Sequence, residues 1–456
     1  MDSSSVDIFG RRKRKLSKRQ NSNMGQDLIS NLPKHIIGCI LSFLPAKEAV
    51  HTSILSKRWN NVWTYITKLK FDDMEHYSSN KIQKTRFVDF VDMILIHLLS
   101  RANIQSFSLA LSWARDYSLI NKWINVVLTF RIKKLCVDLK KEHTIPSNSF
   151  FQCKSLEELV LNRCAITFST SVSLSSLTVL KLCNVTITCD SSNESETLAL
   201  NFPALRKYET CDCIWLGVSV RIVTLQAPLL EVVSIKYTPR STKSHDVGIE
   251  LYASHLTKFY YCGFLSIPDS ILLDAHSLAY AGITLYNNEK SRQEVETFVS
   301  KLLSINPKSL KLCVCIKKFV IAGMKDSFAN VPPFTMLSHL ELSYVGCEFL
   351  LGIILKSRCL KTLILQVIYY DGMLLNSSTV PHCLLTTLKV VKFAKFVGHD
   401  NGLSIAKFII ENAQVLERIS FSICALKFQK KILSFKKSSS SAIIEFPSEM
   451  SKTFLI

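Results

Sequence analysis

The chain has 456 residues, of which 48% are hydrophobic and 20% charged, a balance that excludes a largely disordered polymer and allows about two or three domains. Lysine and arginine number 56 against 36 aspartates and glutamates, a formal charge of +20. Outside one N-terminal run this excess is spread thinly, so it reads mainly as solubility rather than as a nucleic-acid footprint. No apolar run approaches the ~20 residues of a membrane helix, and Met1 to Gly10 lacks the apolar core of a secretory signal. A soluble intracellular chain in the nucleus and/or cytoplasm, without a membrane partner, is expected.

Residues 1–24 form a polar leader carrying a basic run from Arg11 to Arg19. Like charges packed this closely repel and do not fold alone. Arg11, Arg12, Lys13, Arg14 and Lys15 are candidates for a nuclear-import signal, the other reading being a solvated tail. No aromatic residue interleaves with these charges, which argues against direct nucleic-acid binding.

From residue 27 the character changes. Pro33 suits the first turn of a helix, and Ile36, Ile37, Ile40, Leu41 and Leu44 come after it at helical spacing. Pro45 stops that helix and can open a second, which carries Ala49, Val50, Ile54 and Leu55. Ser56 is placed to cap a third short helix with Trp59, Val62 and Trp63 on one face. Such a unit is too small to be very stable by itself and gains by packing on a neighbour or partner. Leu32, Ile36, Ile40, Phe43, Leu44 and Leu55 exceed what a small core needs, and soluble proteins tend to keep an exposed apolar surplus for binding.

The stretches Asp27-Leu28-Ile29-Ser30-Asn31-Leu32-Pro33, Ile40-Leu41-Ser42-Phe43-Leu44-Pro45 and Thr52-Ser53-Ile54-Leu55-Ser56-Lys57-Arg58-Trp59 resemble a plant F-box without a gap. That resemblance implies short helices that bind the Skp-type adaptor of a cullin-based ubiquitin ligase. Leu32, Pro33, Ile36, Ile40, Phe43, Leu44, Leu55 and Trp59 are the candidate adaptor-binding residues.

After Phe71 a different pattern appears. Phe87, Phe90, Val91, Ile94, Leu95 and Leu98 keep helical spacing, predicting a helix that joins the first unit to a repeat array and covers the first strand of that array. The array has the form L-x-x-L-x-L, which places one strand per repeat in a stack. Clean copies are Leu156/Leu159/Leu161, Leu177/Leu180/Leu182, Leu337/Leu340/Leu342 and Leu360/Leu363/Leu365. Looser ones are Ile132/Leu135/Val137, Leu205/Tyr208, Leu230/Val233/Ile235 and Leu256/Phe259/Tyr261, and between Leu278 and Leu337 the pattern is weakest. A single repeat cannot bury its apolar edge, so stacking is compulsory. The positions between the leucines, such as Glu157, Glu158, Val160 and Asn162, are free to meet a target.

Toward the C-terminus a strand is predicted over Leu385 to Phe393, a turn over Gly398 to Gly402, a helix carrying Ala406, Ile409, Ile410 and Ala413, and a strand over Leu416 to Ile423. Phe408 to Glu417, with Ile432-Leu433-Ser434-Phe435 and Ile444-Glu445-Phe446, resembles the FBD domain that comes after the repeats in many plant F-box proteins. The fold class expected is therefore α/β: a short helical F-box, a leucine-rich repeat solenoid with one parallel sheet and helices and loops on its convex side, and a strand–helix–strand FBD cap. The expected divisions are a leader (1–24), F-box (25–70), linker helix and repeats (71–374), FBD (375–446) and tail (447–456).

The sequence carries no Walker-type loop, H-E-x-x-H or G-x-S-x-G. Its 15 cysteines are scattered through apolar stretches and read as buried free thiols of a reducing compartment. Cys211/Cys213 and Cys313/Cys315 would each place two sulfurs on one strand face, but no second pair stands at zinc-finger spacing. Cys164 and Cys424 lie near apolar strand patterns, a poor setting for a nucleophile. His51, His255 and His399 show no paired spacing for a metal. No catalytic residue, metal or cofactor is expected. The resemblance implies a non-catalytic substrate-recognition subunit of a Skp–cullin–F-box ligase, with the adaptor, a cullin reached through it and a target protein of unknown identity as partners. The alternative is a ligase-independent repeat scaffold binding protein or RNA in the nucleus.

Overall fold

A computed structural model describes residues 29, 31–73, 81–99, 103–112, 117–140, 143–145, 147–168, 171–189, 197–216, 222–238, 248–264, 271–274, 278–286, 305–315, 332–369, 379–396, 400–422 and 424–447. One parallel sheet runs through it and takes its strands in chain order. These are β1 (Lys68–Asp72), β2 (Ser106–Leu111), β3 (Lys134–Leu139), β4 (Glu158–Asn162), β5 (Val179–Cys183), β6 (Lys207–Cys211), β7 (Val232–Lys236) and β8 (Lys258–Phe264). They continue with β9 (Tyr280–Tyr286), β10 (Ser309–Cys315), β11 (His339–Ser343), β12 (Thr362–Leu365), β13 (Val390–Phe393), β14 (Arg418–Phe421) and β15 (Ile443–Glu445).

The repeated leucines explain this order. Alternate residues of a strand face opposite sides, so Leu159 and Leu161 turn inward while Glu158, Val160 and Asn162 turn out. Register then stacks like on like: Leu135 pairs with Leu159, Leu159 with Leu180, and Leu180 with Tyr208. Where Phe259 occupies this row its partner is Ala281, a small residue beside a large one. The region between Leu278 and Leu337, weakest in pattern, still supplies β9 and β10, with Leu278, Ile283, Leu310 and Leu312 buried.

The back of the stack differs along its length. Helices α3 (Lys81–Leu98) and α4 (Tyr117–Thr129) cross behind the first strands, and the rings of Phe87 and Phe90 meet Phe71 edge-on. The predicted linker helix is thus the first crossover, covering β1. In the middle, the expected convex helices are replaced by strands. Thr144–Ile145, Ala165–Phe168, Thr186–Cys189 and Ile214–Leu216 form a second parallel sheet, and Ser171–Ser173, Thr197–Asn201, Ile222–Gln226, Gly248–Tyr252 and Ile271–Asp274 a third. Valine, isoleucine and threonine, stiff at χ1, favour this extended return. At four corners directly after a main strand the chain turns on a residue in left-handed conformation: Arg163, Asn184, Asp212 and Tyr344. Its N–H bonds the carbonyl of the next repeat, as from Asn184 to Cys211 at 2.7 Å, and the adjoining Cys164, Val185 or Cys213 turns into the core.

Two helices, α5 (Ser147–Phe151) and α6 (Cys347–Lys356), lie behind further repeats, and the C-terminal end returns to helices: α7 (His382–Thr386), α8 (Asp400–Asn412) and α9 (Leu426–Leu433). The strand expected from Leu385 begins only at Val390. Pro381 opens a helical turn that buries Cys383 and Leu384 instead. Asp400 to Gly402, expected in a turn, belong to the first turn of α8, while Gly398 and His399 lie outside the described residues. Phe393 stacks on Phe421 at 4.8 Å, with Phe396 edge-on to both. The C-terminal unit thus continues the same sheet, and among the described residues no helix is long and apolar enough to cross a membrane.

Candidate functional site

Two surfaces stand out. The first is built by residues 31–67. Pro33 precedes helix α1 (Lys34–Leu41), and its carbonyl accepts from the N–H groups of Ile36 and Ile37 at 2.9 and 3.2 Å. Pro45 precedes α2 (Ala46–His51). Ile37, Leu41, Ala46, Ala49, Val62 and Trp63 bury themselves as the core of this unit. The third helix expected from Ser56 is not formed. Residues 56–60 make turns, Asn61 takes a left-handed φ of 59°, and a short 3-10 turn runs from Val62 to Tyr65. Asn60-Asn61 is a poor helix interior and a good turn.

This unit is clamped to the sheet. Ser42 Oγ donates to the Gly38 carbonyl and accepts from the Thr67 N–H, both at 2.8 Å, just before β1 begins. Gly38 packs directly under Tyr65: a Cβ there would lie 2.4 Å from the Tyr65 carbonyl oxygen, so no other residue fits without displacement. Asp73, fully buried just past β1, accepts from the Ser112 N–H (2.7 and 2.8 Å) and hydroxyl (2.6 Å) at the end of β2.

The eight candidate adaptor-binding residues separate by burial. Ile36, Ile40, Phe43, Leu44 and Leu55 are exposed, Phe43 by 81% and Leu55 by 65%. Pro33 is exposed at the start of α1, whereas Leu32 and Trp59 are half-buried against the core. Ile54, which the spacing assigned to the second helix, is 86% exposed beside Leu55 because the chain tightens into a 3-10 turn at Thr52–Ile54. Its signal in the sequence was the adjacent apolar pair Ile54-Leu55, both of which stay in water. Exposed Lys34, Lys57 and Arg58 edge the patch, and the Lys68 ammonium lies 5.2 Å from the Phe43 ring centroid. The import candidates Arg11, Arg12, Lys13, Arg14 and Lys15 lie outside the described residues.

The second surface is the outward face of the main sheet. Its middle row reads Val160, Lys181, Glu209, Ser234, Tyr260, Gly282, Lys311 and Glu341. Ion pairs cross between neighbours: Lys134 to Glu158 (2.8 Å), Lys181 to Glu209 (3.2 Å) and Lys311 to Glu341 (2.9 Å). Lys207 also bonds Glu209 at 2.7 Å. Exposed pairs like these contribute little stability each but fix which charges remain for a partner.

Among the described residues, the cysteines and histidines considered from the sequence do not come together on either surface. Cys211 and Cys213 do not share a strand face: β6 ends at Cys211, Asp212 turns the corner, and Cys213 enters the core. Burial pushes the Cys213 thiol up to about 12 and that of Cys424 above its ordinary value, the reverse of what a nucleophile needs. Cys164 is buried. His51 is exposed at the end of α2, and His255, also exposed, has its Nδ1 2.8 Å from the Pro228 carbonyl. Among the described residues no three metal-binding side chains gather.

Comparison with known proteins agrees with this geometry. The F-box domain family matches residues 29–70 and the FBD family residues 376–421. An F-box/FBD/LRR-repeat protein of Arabidopsis thaliana is 29% identical over 452 residues, covering 92% of this chain and 94% of its own. An FBD-associated F-box protein of the same plant is 26% identical over 429 residues, covering 87% of each. An F-box protein is 28% identical over 280 residues, 59% of this chain and 57% of its own. The chain thus carries an F-box, a parallel repeat array and an FBD in that order, and is a homologue of the Arabidopsis F-box/FBD/LRR-repeat proteins.

Proposed function

We propose that this chain is the substrate-recognition subunit of a Skp–cullin–F-box ubiquitin ligase. Its F-box docks on a Skp-type adaptor, and the outward face of the sheet holds the target. The observation that carries this reading is that Ile36, Ile40, Phe43, Leu44, Ile54 and Leu55 are all exposed on one small unit while Ile37, Leu41, Ala49 and Val62 of the same unit are buried. An apolar patch of this kind is costly to leave in water and points to a partner.

The contribution of such a subunit is proximity. Holding a target beside an activated ubiquitin raises its effective concentration without any covalent step by this chain. The hydrogen-bonded junction between F-box and sheet, from the Thr67 N–H to Ser42 Oγ, suits that role, because an orientation set at one end is passed to the other.

Gel filtration of the purified full chain with a Skp-type adaptor tests the reading. Co-elution, followed by capture of a cullin only when the adaptor is present, is expected. Separate elution of a chain shown to be folded by circular dichroism would leave a ligase-independent repeat scaffold as the function.

A further inference from the structure

We propose that the outward face of β7 to β9 takes an extended acidic segment of the target, with carboxylates at positions i and i+4 and an apolar or aromatic side chain at i+2. This rests on reading the sheet as the target-binding part of the chain and adds the chemistry of what it binds.

The floor of the site is a pair of tyrosines. Tyr260 on β8 and Tyr280 on β9 have ring centroids 5.3 Å apart and inclined by 42°. Both lean over Gly282: a Cβ there would lie 3.0 Å from Tyr280 Cε1 and 3.2 Å from Tyr260 Cδ1. The missing side chain lets the rings rest on the sheet. Tyr260 stays 38% exposed, so the pair offers an aromatic surface in the middle of a face otherwise dominated by charge.

The charges flanking this floor are of two kinds, paired and unpaired. Lys181 and Lys207 both hold Glu209, and Lys311 holds Glu341. Lys236 and Lys258 are exposed and have no acidic partner among the described residues. They flank Tyr260 along the strand direction: Lys258, itself in register with Tyr280, lies two residues before it, and Lys236 is in register with Cys262, two residues beyond it. At ~3.3 Å per residue their stems begin ~13 Å apart along the strand direction.

An extended ligand has the same spacing. Its side chains at i, i+2 and i+4 face one side over that same ~13 Å. The middle one meets the tyrosines, and the outer two meet ammonium groups, which calls for carboxylates. A nucleic acid fits less well. Its phosphates continue past the patch, and Glu209 on one side and Glu341 on the other stand in the same row as Tyr260.

Fluorescence anisotropy with the purified full chain at low salt decides the matter. The probe is a labelled serine–glycine peptide carrying one Glu-Ser-Phe-Ser-Glu core, compared with the same peptide carrying Gln-Ser-Phe-Ser-Gln. The acidic probe should bind about tenfold more tightly than its neutral counterpart. That advantage should vanish in the double variant Lys236→Glu, Lys258→Glu, whose surface positions leave the fold intact. In Tyr260→Ser both probes should weaken together. Equal binding of the two probes, an advantage untouched by the lysine changes, or tighter binding of single-stranded RNA at the same lysines would overturn the proposal. Adaptor co-elution is a separate readout: its failure removes the ligase reading but leaves the peptide comparison on the chain alone to be judged.

Discussion

Truncating Phe43 and Leu55 together tests whether the exposed apolar patch is the adaptor interface. A phenylalanine side chain offers ~200 Å², and Phe43 leaves 81% exposed. Its full burial would remove ~160 Å² from water, worth at most ~4 kcal/mol at 25 cal/mol per Å². Because alanine keeps part of that area, the loss from Phe43→Ala should be ~2 kcal/mol, in the range of an interface anchor. Leu55, 65% exposed, should add ~1–2 kcal/mol. The double variant should therefore bind about a hundredfold to a thousandfold more weakly. Calorimetric titration of the full chain with a purified Skp-type adaptor measures this directly. Neither change touches Ile37, Leu41, Ala49 or Val62, so folding stability should move by no more than ~0.5 kcal/mol. A folded double variant that binds within about threefold of the original would show that this patch is not the interface.

Gly38→Ala should loosen the F-box alone. The new methyl meets the Tyr65 carbonyl at 2.4 Å, an overpacking cost of ~1–3 kcal/mol, visible as faster hydrogen exchange in α1 with β5 to β9 unchanged. Glu209 is pushed up by partial burial, but hydrogen bonds from Lys207 and Lys181 outweigh this and hold its carboxyl below the usual range. Its contribution is present above the unfolded carboxylate value and lost as pH falls through the lower folded one. Glu209→Gln should accordingly flatten the acid side of the thermal midpoint's pH dependence, and an unchanged profile would refute this. Burial raises the thiols of Cys213 and Cys383 to about 12. Iodoacetamide at neutral pH should label exposed Cys39 and Cys359 first, and equal labelling by mass spectrometry would show that the repeat corners open.

The main sheet was legible because its signal is repeated. Leu156, Leu159 and Leu161 alone could belong to a helix or a strand, but the same spacing at Leu177, Leu337 and Leu360 permits only a stack. The side sheets were not legible from that pattern. Each of their strands is a short run such as Ile222-Val223-Thr224-Leu225, too short for periodicity to separate from a helix edge; the β-branched content was the usable clue. The F-box was readable as a unit, but not which leucines and isoleucines stay in water. Ile36 and Ile37 are adjacent and chemically alike, yet one is exposed and the other buried, because only the packing of α1 under Tyr65 sets the rotation of that helix. The tyrosine floor depends on Gly282 coming between Tyr260 and Lys311 in register, a coincidence of three strands that linear spacing does not show.

The strand β1 (Lys68–Asp72) continues from the F-box clamp at Thr67 without a break and pairs at once with β2. No swivel therefore separates the exposed apolar patch from the first rung of the ladder, and each further rung is bonded to the one before it. Bearings along the molecule are set by accumulated strand twist rather than by a tether. An inserted or deleted repeat would consequently swing everything beyond it through a fixed angle. A change in repeat number would thus be a change of aim as well as of reach.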